Sequence, residues 1–205
     1  AFFVAMTKLN FVAMTKDNLK ARLAYSTISQ LSYITLGIAL ASSMGALGGA
    51  MHVVTHAMGK ITLFMCAGSI YVATHKTNIS QMTGLGRRMP ITFIAFLIGA
   101  LSIIGLPPLG GSWSKWLLIV GAADANELIM IGVLLVSSLL NVAYLMPLVG
   151  RGFFLSTDQE PAKSEFAEGP VLVWMPPALT ALGCIVLFFY AGYIQEFLMP
   201  IVSAP

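Results

Sequence analysis

The chain has 205 residues, of which 58% are hydrophobic and only 9% are charged, and its mean hydropathy is +0.87. Soluble domains carry about 25% charged residues, so this composition excludes an ordinary soluble protein and predicts an integral membrane protein. The formal net charge of +3 does not indicate nucleic-acid binding, because the eleven basic residues are spread over loops and form no patch.

The apolar runs have the length of helices that cross a membrane. They lie near residues 22–43, 47–73, 90–106, 127–150 and 170–194, and a spanning helix needs about 20 mostly apolar residues. Only 90–106 is short by itself, and residues 112–122 form a further predicted helix behind it. The alternating polarity of barrel strands is missing from the sequence. We therefore predict an all-α polytopic transmembrane helix bundle, a single domain over 1–205, and expect it to be part of a longer chain because it begins without Met.

Polar side chains mark the first predicted span, in the stretch LAYSTISQLSYITLG. They can hold a file of water for proton hopping, or they can bond one helix to another, as is common in membranes; the sequence leaves both readings open. Lys20 stands at the start of this helix, where it could feed such a file. The polar side chains concerned are Tyr25, Ser26, Ser29, Gln30 and Tyr33.

The stretch HVVTHAMGK places three ionisable side chains inside the second predicted span. His52, His56 and Lys60 recur every fourth residue, so they share one face of a helix within an arc of about 80°. A lysine at the centre of a bilayer costs about 2.5–3.5 kcal/mol on insertion scales, and nothing structural demands it. An amine beside imidazoles can gain and lose a proton during turnover, so we interpret the three as a proton relay. The alternative is that the histidines pack while Lys60 extends towards the surface.

A metal site is a weaker interpretation of the same histidines. The spacing of His52 and His56 is that of a metal pair, but the metalloprotease pattern requires Glu directly after the first His, and here that residue is Val53. No carboxylate lies in the middle of any predicted helix. We therefore expect neither a metal nor another cofactor, and no catalytic residues of an enzyme.

Two prolines and three glycines interrupt the third apolar span, in IIGLPPLGGSWSK. Pro removes a backbone donor and Gly loosens a helix, and unsatisfied backbone at membrane depth is tolerated only inside protein or beside a watery cavity. We expect a discontinuous helix with Lys115 close to the gap. A short loop between two helices, with Lys115 extending to the surface, is the alternative. The break is assigned to Pro107, Pro108, Gly110 and Gly111.

The distribution of basic residues predicts the orientation. If 90–122 crosses the membrane once, nine Lys and Arg residues fall on one side and none on the other, where Asp124, Glu127 and Glu196 lie. The nine are Lys8, Lys16, Lys20, Arg22, Lys76, Arg87, Arg88, Arg151 and Lys163. Positive residues favour the cytoplasmic side, so the loops 74–89 and 151–169 are predicted to be cytoplasmic. Lys60 and Lys115 are the two basic residues left within the membrane layer.

Three of these segments, in this order, resemble a known family. DNLKARLAYSTISQLSY, HVVTHAMGK and GLPPLGGSWSK are similar to the C-terminal half of the proton-conducting membrane subunits that respiratory complex I shares with Mrp-type monovalent cation/proton antiporters. The resemblance runs from about residue 17 to about residue 155. The stretch from GGSWSK to LVGRGFF looks most like the D subunit of the antiporters.

The resemblance implies a fold and a set of roles. Members have about fourteen helices in two inverted repeats, each with a broken helix, and this chain covers little more than the second repeat. Lys60 matches the central lysine with His52 and His56 as the adjoining relay, Lys115 matches the terminal lysine of the broken helix, and Lys20 matches a lysine at the cytoplasmic entrance.

The resemblance also implies a setting for the chain. Its partners would be the other membrane subunits of a hetero-oligomeric antiporter or complex I-like assembly, protons, Na⁺ or K⁺, and the lipid bilayer, with no nucleic acid. The membrane would be the bacterial cytoplasmic membrane. Proton translocation in a cation/proton antiporter is the function expected first. Proton pumping in NADH:quinone oxidoreductase, without a redox centre in this chain, and a non-transporting scaffold are the alternatives.

Overall fold

The computed structural model describes residues 2–155 and 167–202, with side chains from Met6 onward. These ranges form helices joined by short turns, with one isolated bridge between Asn18 and Asn78 and no strand. The prediction of an all-α membrane bundle is therefore confirmed. In chain order the helices are α1 (Phe2–Thr15), α2 (Leu19–Ala39), α3 (Ser43–Thr74), a single 3-10 turn (Ile79–Gln81), α4 (Leu85–Arg88), α5 (Pro90–Ile104), α6 (Gly111–Asp124), α7 (Leu128–Phe154), α8 (Val171–Phe189) and α9 (Ala191–Val202).

The ends of the two central helices are set by local sequence. Asn18 precedes α2 and its side chain accepts a hydrogen bond from Ala21 N, while Ser42 does the same for Gly45 N at the start of α3. These are the side chains that best satisfy the first free N–H groups of a helix. Pro90 opens α5, at the position where a missing N–H costs nothing.

Three of the described helices are long and apolar enough to cross a membrane: α3, α7 and α8, with 32, 27 and 19 residues. The longest, α3, lies at the centre and packs against α2, α5, α6 and α8. Small residues allow the closest approaches: a Cβ on Gly121 of α6 would collide with the backbone of Gly45 on α3. The centre of the bundle is therefore formed by α3 and the helices that surround it.

The loops gather at two ends of the bundle. At one end Gly84 N donates to Arg151 O over 3.0 Å, and Ala167 N donates to Arg88 O over 2.9 Å. At the other end Ser42 Oγ donates to Gly121 O over 3.0 Å. The segment from α5 through α6 therefore passes from the first end to the second as one interrupted crossing.

Two details differ from the sequence-based predictions. Lys8, one of the nine basic residues predicted on the cytoplasmic side, lies in the middle of α1 and is exposed. Lys163, another of the nine, lies outside the described residues. The helix predicted over 170–194 divides at Tyr190, where α8 ends and α9 begins. The turn lets α9 lay Ala191, Ile194 and Leu198 against Leu47 and Met51, so apolar burial explains the change of direction.

Candidate functional site

The polar face of α3 is buried and directed at α2 and α6. His52, His56 and Lys60 are only 2%, 8% and 5% exposed. His52 and His56 stack with ring centroids 5.8 Å apart, and Lys60 Nζ donates to Ser26 Oγ of α2 over 2.7 Å and to Leu23 O over 3.3 Å. Lys60 therefore ends inside the protein, where its ammonium is held by neutral oxygens.

His52 links the polar face of α3 to both neighbouring helices. Its Nδ1 lies 2.9 Å from Ser114 Oγ on α6 and its Nε2 lies 3.2 Å from Gln30 Oε1 on α2. Tyr33 also stacks with the His52 ring, with centroids 5.3 Å apart. A histidine held in this way joins a residue of α2 to the residue that precedes Lys115.

The interruption between α5 and α6 is where Lys115 lies. The helix stops at Ile104 and resumes at Gly111, so Gly111 opens α6 and the residues between 104 and 111 are irregular. Lys115 is 7% exposed, and its Nζ donates to Ile104 O and to Ser138 Oγ, each over 2.9 Å. The lysine thus satisfies a carbonyl that the end of α5 leaves free, and it does not extend to the surface.

Gly111 allows a close approach of two helices at the break, and Gly110 makes a backbone hydrogen bond to a third. A Cβ on Gly111 would collide with Ser102 O of α5, and Gly110 N donates to Cys184 O of α8 over 3.0 Å. Pro107 and Pro108 are exposed.

A cavity of about 860 Å³ opens beside the break. Its lining is mainly apolar and includes Trp113, Trp116 and Phe188, and it also reaches Lys115.

The polar residues predicted on the first span separate into two groups. Ser26, Gln30 and Tyr33 face the buried polar residues of α3 and α6, as described above. Ser29 donates to Met6 O of α1 over 3.0 Å, which ties two helices together. Tyr25 lies by Lys16, whose Nζ is 5.5 Å from the centroid of the Tyr25 ring.

Lys20, predicted at the entrance, is exposed at the start of α2 and does not join the buried group. Its Nζ lies 5.2 Å from the centroid of the Tyr71 ring. The residues that the structure does bring together in the interior are called here the polar axis: Lys60, Ser26, His56, His52, Gln30, Tyr33, Ser114 and Lys115.

Helix α7 contributes polar residues that the sequence analysis missed. Ser137, Asn141 and Tyr144 are each 0% exposed, and Ser138 receives the hydrogen bond from Lys115. Their spacing, SSLLNVAY, repeats at three and four residues within an apolar span, which is the same signal that identified the polar face of α3. The repeat is hard to recognise in the sequence because these side chains carry no charge and lower the hydropathy of the span only slightly.

Several polar atoms in this interior have no hydrogen-bond partner among the described residues. They belong to four helices: Asn10 Oδ1, Gln30 Nε2, Tyr33 OH, His56 Nε2 and Asn141 Nδ2. Buried polar atoms are almost always paired, with protein or with ordered water. The interior is therefore polar enough to hold water, and no described carboxylate pairs with Lys60 or Lys115. Within the described ranges no group of three His, Cys, Asp or Glu side chains could hold a metal ion.

A family model described as NADH:quinone oxidoreductase/Mrp antiporter, TM, matches residues 2–141. The chain belongs to this family. It is accordingly an integral membrane protein of this family, which confirms the resemblance found in the sequence.

Curated relatives in this family are longer than the chain. It is 33% identical over 172 residues to NADH-quinone oxidoreductase subunit N of Desulforudis audaxviator, covering 79% of this chain and 34% of that protein. It is also 33% identical over 175 residues to NADH-quinone oxidoreductase subunit L of Rickettsia conorii, covering 85% of this chain and 25% of that protein. The chain therefore spans about a third or less of these family members.

Solved structures of the family have the same fold. A chain of the Mrp complex from Dietzia sp. superposes with a TM-score of 0.87 at 21% identity, covering 98% of this chain and 45% of that one. A chain of respiratory complex I from Thermus thermophilus superposes with a TM-score of 0.82 at 25% identity, covering 98% and 43%. The family fold is thus present over nearly all of this chain.

Proposed function

We propose that this family member translocates protons along the polar axis from Lys60 to Lys115, as part of a multisubunit monovalent cation/proton antiporter that exchanges Na⁺ or K⁺ for H⁺. The observation that carries the proposal is the placement of two buried lysines and two stacked histidines between α2, α3 and the interrupted α5–α6 crossing. Lys60, His52 and Lys115 each hydrogen-bond a neighbouring side chain, and His56 stacks on His52.

The cost of burying a charge favours lysines that change their protonation state. An ammonium inside the membrane layer is unfavourable, and the described residues offer Lys60 and Lys115 only neutral oxygens. A lysine that alternates between amine and ammonium avoids a permanent buried charge, and imidazoles between the two lysines can carry the proton across the intervening distance. The discontinuous helix places Lys115 at the far end of that path.

A second candidate is favoured by the curated relatives. Subunits N and L belong to NADH-quinone oxidoreductases, so the same axis could pump protons in a complex I-like assembly whose redox centres lie in other subunits.

Proton entry would occur at the end of the bundle that carries Lys20, Arg87, Arg88 and Arg151. We assign this end to the cytoplasmic side of a bacterial inner membrane because of its positive charge.

The test is proton flux in vesicles that contain the whole assembly. An antiporter acidifies or alkalinises the lumen when a Na⁺ or K⁺ gradient is imposed, and a complex I-like pump does so only during quinone reduction. Lys60→Ala should abolish either flux without preventing assembly, since Ser26 keeps its bond to Tyr144 when the amine is removed. Undiminished flux in Lys60→Ala would leave this chain with the role of a scaffold.

A further inference from the structure

The buried face of α7 runs beside the polar axis from one lysine to the other. Ser138, Asn141 and Tyr144 follow one another at three-residue intervals, so they lie on the same side of the helix. Tyr144 lies near Lys60 and Ser138 contacts Lys115. The described structure thus has polar groups on α7 as well as on α3 between the two lysines.

The Lys60 end of this face is an oriented series of hydrogen bonds. Lys60 Nζ donates to Ser26 Oγ over 2.7 Å, and Ser26 Oγ is hydrogen-bonded to Tyr144 OH. Tyr144 OH in turn donates to Asn141 Oδ1 over 2.8 Å. Because the phenol has a single proton, Ser26 must be the donor to Tyr144, so every bond in the series points away from Lys60.

The Lys115 end approaches the same place. Lys115 Nζ donates to Ser138 Oγ over 2.9 Å and lies 4.9 Å from the centroid of the Tyr33 ring. The Tyr33 hydroxyl lies near the side chains of Ser137, Ser138 and Asn141. Among the described residues it makes no hydrogen bond of good geometry, and neither does Asn141 Nδ2. A buried water molecule typically makes about three hydrogen bonds to such polar atoms, so these groups are suited to hold one between Tyr144 and Ser138.

We propose that Ser26, Tyr144 and Ser138, completed by buried water, form a second proton route between Lys60 and Lys115, parallel to the route through His56 and His52. The inference rests on the proposed function and adds to it a relay residue, Tyr144. Asn141 acts as a positioning residue, since an amide holds the phenol and the water but does not itself carry the proton.

The second route moves one proton and leaves its intermediate groups unchanged. The Lys60 ammonium gives one proton to Ser26 and becomes an amine, while Ser26 passes its own proton to Tyr144. Tyr144 turns its hydroxyl from Asn141 Oδ1 towards the water and passes its proton to it. The water gives one proton to Ser138, and Ser138 gives its own to the Lys115 amine. One proton has moved from Lys60 to Lys115, and each hydroxyl and the water have gained one proton and lost one.

The experiment compares single and double variants in the reconstituted assembly. Tyr144→Phe removes only the hydroxyl and so interrupts the second route. Ser26→Ala interrupts the same route one bond earlier, and His56→Ala interrupts the histidine route. Tyr193→Phe is the control for loss of a hydroxyl, because Tyr193 is exposed on α9. Proton flux, the amount of assembled complex and its thermal midpoint are measured for each variant.

Parallel routes predict a particular pattern of losses. Tyr144→Phe and His56→Ala should each reduce flux partially. The fraction of parental flux that remains in the double variant should be smaller than the product of the fractions that remain in the two single variants. Within one route, Ser26→Ala combined with Tyr144→Phe should lose no more than the stronger single variant. Such non-additivity is the measure of shared or separate pathways.

Two results would overturn the inference. If Tyr144→Phe matches Tyr193→Phe, both alone and combined with His56→Ala, Tyr144 carries no protons. If Tyr144→Phe alone stops transport in fully assembled protein, there is one route and it is not duplicated. Lys60→Ala separates these outcomes from failure of the proposed function: undiminished flux in that variant contradicts the relay itself, whichever result Tyr144 gives.

Discussion

His52 Nδ1 lies 2.9 Å from Ser114 Oγ, and Ser114 is the residue before Lys115. This contact joins the histidine face of α3 to the helix that restarts after the break. Lys60 and Lys115, which are 55 residues apart in sequence, therefore stand at the two ends of one connected polar region.

Lys60→Arg should stop proton flux although it preserves the positive charge. A guanidinium does not release its proton at accessible pH, so the variant can act as a fixed charge but not as a carrier. Flux in vesicles with the whole assembly, at equal amounts of assembled complex, is the measurement. Transport at the parental rate would show that Lys60 acts only through its charge.

His56→Ala should reduce flux by less than about thirtyfold, because ordered water can replace a hydrogen-bonding group at a cost of roughly 0–2 kcal/mol. The His56 Nε2 atom has no partner among the described residues, so its removal leaves no partner unsatisfied there. The measurement is the flux of His56→Ala relative to the parent, with Lys60→Ala as the variant expected to have no flux. Equal, complete losses would place His56 in an obligatory position.

Gly111→Ala should destabilise the break. The new methyl group would collide with Ser102 O, and forcing extra volume into a packed interior typically costs about 1–3 kcal/mol. Gly132→Ala on α7 is the matched control, because a Cβ there meets nothing within 4 Å. The thermal midpoint in detergent should fall for the first variant and stay level or rise for the second.

Glu168→Ala should loosen the start of α5. The buried carboxylate accepts hydrogen bonds from Ile91 N, from Thr92 N over 3.1 Å and from Thr92 Oγ1 over 2.7 Å. Losing a charged acceptor at a helix start should cost about 1–3 kcal/mol. Amide exchange of Ile91 and Thr92 should quicken, whereas in Glu127→Ala, which removes an exposed carboxylate, it should not.

The contact between the start of α2 and the loop after α3 should weaken in acid. Hydrogen bonding from Ser80 Oγ, over 2.6 Å, lowers the pKa of Asp17. A carboxyl group whose pKa is lower when folded adds stability above its unfolded pKa of about 3.9, and this contribution is lost as the pH falls through the folded value. Asp17 is exposed, so the effect is small.

The protection of the Ser80 amide against exchange, measured between pH 6 and pH 3 in the parent and in Asp17→Asn, reports this contribution. The parent should lose protection on acidification, and the variant should show a flatter profile. A parallel decline in both proteins would exclude Asp17 as the cause. Asp124→Asn, at the other end of the bundle, serves as the control.

Periodicity and composition determined much of this protein. Runs of about 20 apolar residues specify spanning helices because a bilayer has a fixed thickness, and charge inside such a run identified Lys60 and Lys115 since few structural reasons retain it. Repeats of three and four residues placed His52, His56 and Lys60 on one face. Pro and Gly within an apolar run indicated the break between α5 and α6.

Tertiary structure decided which polar residues meet. Ser29 bonds to α1 while Ser26, one turn away, bonds to Lys60, a distinction that periodicity alone does not make. Asn141 and Tyr144 on α7 join Lys60 only because the packing of the bundle brings the Tyr144 hydroxyl to Ser26 of α2. A neutral polar side chain costs little in an apolar helix, so its functional importance is hard to see in the sequence. Contacts between distant segments depend on how helices pack, which is a property of the whole bundle.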